Sequence, residues 1–144
     1  FKEGEECCSP MPLDAMKGPR EKLMYVLCVL TKTGTQMPDY LATVDVDPKS
    51  PTYCQVIHRL QMPYINDELH GMVWNTCSSP SGDTTKKRNQ LVIPCFSSSR
   101  IYAVDTGTDP QAPCLLKVGR LQAREMAGQG LWEGTRGTLN LLIP

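Results

Sequence analysis

The stretch Ala42-Thr43-Val44-Asp45-Val46-Asp47-Pro48-Lys49-Ser50-Pro51 decides the fold, because the chain says it nearly twice. Its second statement is Tyr102-Ala103-Val104-Asp105-Thr106-Gly107-Thr108-Asp109-Pro110-Gln111-Ala112-Pro113. Each copy reads as a strand ending in Val-Asp, then Asp-Pro-x-x-Pro, then another short strand. The Asp-Pro pairs lie 62 residues apart (109 minus 47). An antiparallel hairpin cannot bury both of its faces alone. Stacked radially, such units form a β-propeller. The spacing exceeds the roughly 40 to 50 residues of common propeller blades, and a long loop over 61–87 accounts for the excess. The plainer reading is that Asp-Pro turns recur by chance in a proline-rich chain.

Outward from the repeat, the strand signals continue. Lys22 to Thr31 carries Leu, Met, Tyr, Val, Leu, Cys, Val and Leu, apolar on both faces, and predicts a buried strand. Tyr40 to Asp45, Tyr53 to Leu60, Gln90 to Cys95 and Arg100 to Asp105 are the next four, enriched in β-branched and aromatic residues. Thr33-Gly34-Thr35 and Asp47-Pro48-Lys49-Ser50-Pro51 read as turns. The expected fold is mainly β: the first, incomplete blades of a β-propeller over 23–118. An irregular N-terminal arm occupies 1–22 and a divergent, poorly ordered tail occupies 119–144. A propeller needs at least four blades and these residues supply about two. The domain is therefore expected either to complete itself by association or to be a truncated part of something larger.

Composition agrees. The chain has 144 residues, 11 glycines and 12 prolines, a proline content that disfavours helical bundles. Fifteen basic residues balance 15 acidic ones, so the electrostatic footprint of a nucleic-acid binder is missing. No run of about 18 apolar residues is present to form a transmembrane helix. The apolar stretch Leu23–Leu30 follows five acidic residues, the wrong flank for a signal peptide. Seven cysteines at irregular spacing make a poor disulfide framework and suggest a reducing compartment.

Two segments hold candidate chemistry. On a strand running Tyr53 to Leu60, Cys54, Val56, His58 and Leu60 share one face. Cys54 and His58 would then be about 13 Å apart. One metal cannot span that with bonds of about 2.0 to 2.3 Å. Separate roles are more physical: Cys54 as a soft nucleophile or soft-element ligand, its thiolate favoured by Arg59, and His58 in another site. A buried cysteine and a surface histidine are the bland alternative. The second segment, Glu68 to Ser79, concentrates His70, Met72, Trp74, Asn75 and Cys77, donors suited to copper or zinc. Against that stands a loop whose Trp74 plugs the sheet edge while His70 is exposed. Lys86-Lys87-Arg88 is too short for a nucleic-acid patch, and no P-loop or nucleophile-elbow motif occurs.

Several strings together resemble the selenium-binding protein family. They are Leu13-Asp14-Ala15-Met16-Lys17-Gly18-Pro19-Arg20-Glu21, Pro38 to Pro48, Tyr53-Cys54-Gln55-Val56-Ile57-His58-Arg59-Leu60 and Trp74-Asn75-Thr76-Cys77-Ser78-Ser79. The resemblance runs from about Cys7 to Val118. It implies a β-propeller that binds selenium at the cysteine matching Cys54, with Cys77 a further reactive thiol. It implies oxidation of a small thiol substrate, methanethiol, with oxygen and water to formaldehyde, hydrogen sulfide and hydrogen peroxide. Copper held largely by histidines is implied, for which His58 and His70 are the candidates here. It further implies cytosolic and nuclear residence, peripheral membrane association and a role in intra-Golgi protein transport. The sequence also departs from the family. Only His70 remains of two adjacent loop histidines, Cys77-Ser78-Ser79-Pro80 lacks the family's second cysteine, and the family's later blades do not follow Val118. These departures predict a chain without oxidase activity alone. The alternatives are a non-catalytic thiol-reactive fragment, pairing with a protein partner through open sheet edges, or an unstable splice product.

Overall fold

Short β-branched segments separated by Pro, Gly and Asp turns pair most readily with their neighbours in the chain. The computed structural model shows that outcome. It describes residue 13, residues 16–76 and residues 87–120. The elements are β1 (Leu23–Cys28), β2 (Tyr40–Asp45), β3 (Val56–Gln61), β4 (Val73–Trp74), β5 (Gln90–Pro94), β6 (Arg100–Asp105) and β7 (Cys114–Arg120). They form two antiparallel sheets in chain order, β1-β2-β3 and β4-β5-β6-β7. Two such sheets packed face to face are consistent with partial propeller blades.

The repeat seen in the sequence extends to its hydrogen bonds. Asp45 Oδ1 accepts from the Asp47 amide at 2.9 Å, and Asp105 Oδ1 accepts from the Gly107 amide at 2.8 Å. The other oxygen of each takes a threonine hydroxyl at 2.5 Å, Thr52 on Asp45 and Thr108 on Asp105. Asp47 and Asp109 in turn each accept an amide two residues on, from Lys49 and Gln111, at 3.0 Å. The β2–β3 ladder shifts register between Thr43 and Val44, and the β6–β7 ladder shifts between Ala103 and Val104, 60 residues later (103 minus 43). Val46 donates to the Lys22 carbonyl before β1, as Thr106 donates to the Asn89 carbonyl before β5, both at 2.9 Å. So β1, β2 and β3 correspond to β5, β6 and β7. Among the described residues, β4 has no counterpart in the first sheet.

The core lies between the sheets. Leu41 on β2 shares one buried cluster with Leu91 and Ile93 on β5 and with Tyr102 and Val104 on β6, all essentially inaccessible. A buried carboxylate ties the sheets together: Asp39 accepts from the Leu30 amide at 2.7 Å and from the Leu69 amide at 2.9 Å. Leu69 itself bridges Cys95 at the end of β5. A second buried carboxylate, Asp67, receives the Arg100 guanidinium and the Tyr102 hydroxyl.

Four expectations change. β1 is shorter than Lys22–Thr31 and mostly half-buried, because it is an edge strand; Met24 is 48% exposed. The third strand begins at Val56, not Tyr53, because a turn holds the preceding residues. The 61–87 loop contains β4 and the Leu69 bridge, since β5 offers an edge for both to pair with. Gly119 and Arg120, assigned to the tail by composition, complete β7, because Ile101 and Arg100 stand opposite them. The arm, apart from its last residues, and the tail beyond Arg120 lie outside the described residues.

The repeated aspartates set a pH dependence. Asp45 is held below the usual carboxylate range by the Ser50 hydroxyl first, then by the Thr52 hydroxyl and the Asp47 amide. Asp105 is held low by the Thr108 hydroxyl and then by the Gly107 amide. The folded state favours both anions, so their contribution is complete above the unfolded carboxylate pKa, about 3.9, and is lost as pH falls through the depressed folded values. Urea midpoints should fall as pH drops from about 5 toward about 2, and Asp45→Asn with Asp105→Asn should flatten that fall.

Candidate functional site

The connection from β2 to β3 is a compact turn. Ser50 donates its amide to Asp47, Tyr53 to Ser50 and Gln55 to Thr52, at 2.9 to 3.2 Å. At its end two residues oppose one. The Cys54 amide donates to the Asp45 carbonyl at 2.8 Å, while the Asp45 amide donates to the Gln55 carbonyl at 3.0 Å. Cys54 has φ 62, in the left-handed region. This is a β-bulge whose first residue is normally glycine. Cys54 is exposed, and its thiol is free.

The sequence expectation of a shared strand face for Cys54 and His58 is therefore corrected. Cys54 stands in the turn, two residues before β3, and the left-handed φ breaks the alternation that would have aligned the two. Period-two reasoning had no access to that dihedral. Arg59 lies on β3 opposite Ala42, on the face away from His58. The second repeat offers a comparison: Cys114, also exposed and free, holds the place opposite Asp105 that Cys54 and Gln55 share opposite Asp45. There the backbone is extended strand. Counted from the Val-Asp pairs, which lie 60 residues apart (105 minus 45), the place of Cys54 in the second repeat is Cys114, a match the Asp-Pro spacing of 62 hides.

The histidines stand on separate elements. His58 is on β3 opposite Thr43, and its Nδ1 is buried with no hydrogen-bond partner among the described residues. His70 is exposed, donates its amide to the Pro94 carbonyl at 3.2 Å and tilts against the Phe96 ring at 5.1 Å. Among the described residues no three His, Cys, Asp or Glu side chains gather where they could hold a metal ion. The donors among the described residues thus do not fit a copper centre. Cys77 lies outside the described residues.

The rest of the Glu68–Ser79 segment serves the fold. Trp74, on the edge strand β4, meets Tyr25 of the first sheet edge-to-face at 6.3 Å. Asn75 caps β5: its Oδ1 accepts the Asn89 and Gln90 amides and its Nδ2 donates to the Lys87 carbonyl. Cys95 differs from Cys54 in kind. Burial, then the nearby Asp67 carboxylate, pushes its thiol up to about 11, so it stays protonated and unreactive near neutrality.

Two measurements check this assignment. A left-handed non-glycine residue costs about 1–2 kcal/mol. Cys54→Gly should accordingly leave stability unchanged or raise it by about 1 kcal/mol, and Cys54→Val should lower it, in urea melts. In maleimide labelling at pH 8, Cys54→Ser should remove a fast-reacting thiol, whereas Cys95→Ser should leave the fast phase as it was.

Comparison with known proteins places these features in a family. The sequence profile of the 56kDa selenium binding protein (SBP56) matches residues 4–131. Methanethiol oxidase of Xenopus laevis is 65% identical over 113 residues, covering 76% of this chain and 24% of that protein. Selenium-binding protein 2 of Mus musculus is 65% identical over 109 residues, 76% of this chain and 23% of that one. The X-ray structure of a hypothetical selenium-binding protein from Sulfolobus tokodaii superposes with a TM-score of 0.72 at 47% identity, over 77% of this chain and 25% of that one. The chain spans about a quarter of the length of these relatives. With that match over most of its residues, the chain belongs to the 56kDa selenium binding protein family.

Proposed function

We propose that these two sheets carry the selenium-binding thiol of the family at Cys54. They would contribute it to a protein that converts methanethiol, oxygen and water to formaldehyde, hydrogen sulfide and hydrogen peroxide. The observation that supports the reading is the conformation of Cys54. An exposed thiol occupies a left-handed bulge position where glycine is the relaxed choice. Strain of that kind persists where the side chain is needed. A thiolate is a soft donor, and selenium is a soft partner for it. A small thiol substrate is supported by relatives that are methanethiol oxidases. Copper, cytosolic and nuclear residence, membrane association and Golgi transport rest on the resemblance alone. His58 and His70 stand on separate segments and do not by themselves make a copper site.

A second reading is a non-catalytic fragment that pairs with another chain. The observation behind it is β1, which among the described residues has no strand on its outer side where β4 stands beside β5 in the second sheet. Such an edge can accept an extended segment.

Incubation with selenite and glutathione, then dialysis and elemental analysis, should leave about one selenium per chain. Cys54→Ser should abolish it and Cys114→Ser should not. Retention in Cys54→Ser would overturn the assignment. The 144-residue chain alone, supplied with copper and methanethiol, should release no peroxide. Copper-dependent release would show that it is catalytically sufficient.

A further inference from the structure

The face of β2 turned toward the second sheet carries Leu41 and Thr43, both fully buried. Across the ladder, Leu41 faces Leu60 and Thr43 faces His58. The first pair closes as hydrocarbon. The second leaves two polar atoms stranded: Thr43 Oγ1 and His58 Nδ1 are both buried, and neither has a hydrogen-bond partner among the described residues. Directly opposed residues on one sheet face stand with their Cβ atoms about 4.5–5.5 Å apart. The two orphans therefore share one small space. Buried polar atoms are seldom left unpaired in a folded protein, so their coincidence calls for a common partner.

The register shift between Thr43 and Val44 opens the ladder beside this pair. The second sheet has the same shift, but Ala103 and Lys117 stand at the equivalent places, with neither a hydroxyl nor an imidazole. The polar pair is thus particular to the first sheet. Its donor set is one neutral hydroxyl and one imidazole nitrogen, with no carboxylate or thiolate to favour a cation. A molecule that both donates and accepts is what such a set takes, and buried waters typically satisfy groups of this kind.

We infer that an ordered water bridges Thr43 Oγ1 and His58 Nδ1 between the two sheets, making Thr43 a positioning residue for the His58 ring. With Nδ1 engaged inward, His58 can offer only Nε2 to anything else it meets.

Nuclear magnetic resonance on the full chain tests it. The parent should show cross-relaxation from a long-lived water to the Thr43 methyl group and to the His58 ring protons. Under alkaline conditions, long-range nitrogen–proton spectra should show one predominant His58 tautomer. Thr43→Val, nearly isosteric, should lose the water signal and move the His58 ring nitrogens toward a mixture of tautomers. Thr43→Ser should restore both. Lack of a long-lived water in the parent overturns the inference, and so do ring nitrogens unmoved in Thr43→Val. If the valine variant does not fold, the parent's water signal alone decides.

Discussion

One buried carboxylate, Asp39, joins the two sheets through their backbones. The Asp39 side chain sits where water does not reach, and a polar group there is tolerable only with donors around it. One oxygen takes the Leu30 amide, and the other takes the Leu69 amide from 30 residues away. The first fixes the connection between β1 and β2. The second fixes the strand-like segment that bridges the end of β5. Leu41, two residues after Asp39, is thereby set into the shared core. Replacing the carboxylate by an apolar side chain would leave two amides without partners, a larger loss than the bonds themselves provide.

Asp67 extends the same logic within the second sheet's surroundings. Its carboxylate collects Arg100 and Tyr102, and the Arg100 guanidinium lies 3.9 Å over the centre of the Tyr64 ring. Burial and the Asp67 bond hold the Tyr102 hydroxyl far above the usual phenol range, so it acts as a permanent donor. These two aspartates are the tertiary frame, and the Asp45 and Asp105 turns are its local fittings. Cys54 belongs to one of those turns. Its backbone is fixed by hydrogen bonds on both sides of the bulge while its side chain faces solvent. Cys95 has the reverse arrangement and the reverse chemistry.

Much of the architecture was legible in the sequence, and the failures have particular causes. β2 and β6 were readable to the residue, because each is an apolar run stopped by an aspartate that turns the chain. β4 was not, because two residues carry no period and pair only because β5 offers an edge. The last residues of β7 read as tail because glycine and arginine are weak strand formers, yet pairing with β6 overrides propensity. At the candidate site, the identity of Cys54 was legible and its conformation was not, since a single left-handed dihedral has no sequence period. Asp39 and Asp67 were invisible as keystones. A carboxylate normally reads as surface, and only tertiary donors reveal otherwise.

Strand order in both sheets follows chain order, so each ladder closes between consecutive segments. Closing such short loops costs little entropy and is fast. The first sheet requires nothing beyond Gln61. During synthesis it can zip while the second is still emerging, as chains tend to fold from the N-terminal side. Asp39 is then already seated against Leu30, with its other oxygen open to the Leu69 amide. Among the described residues, the Leu69 amide is thus the one contact of this carboxylate that comes from beyond the first sheet, so a single late bond in the chain couples two ladders that each close locally.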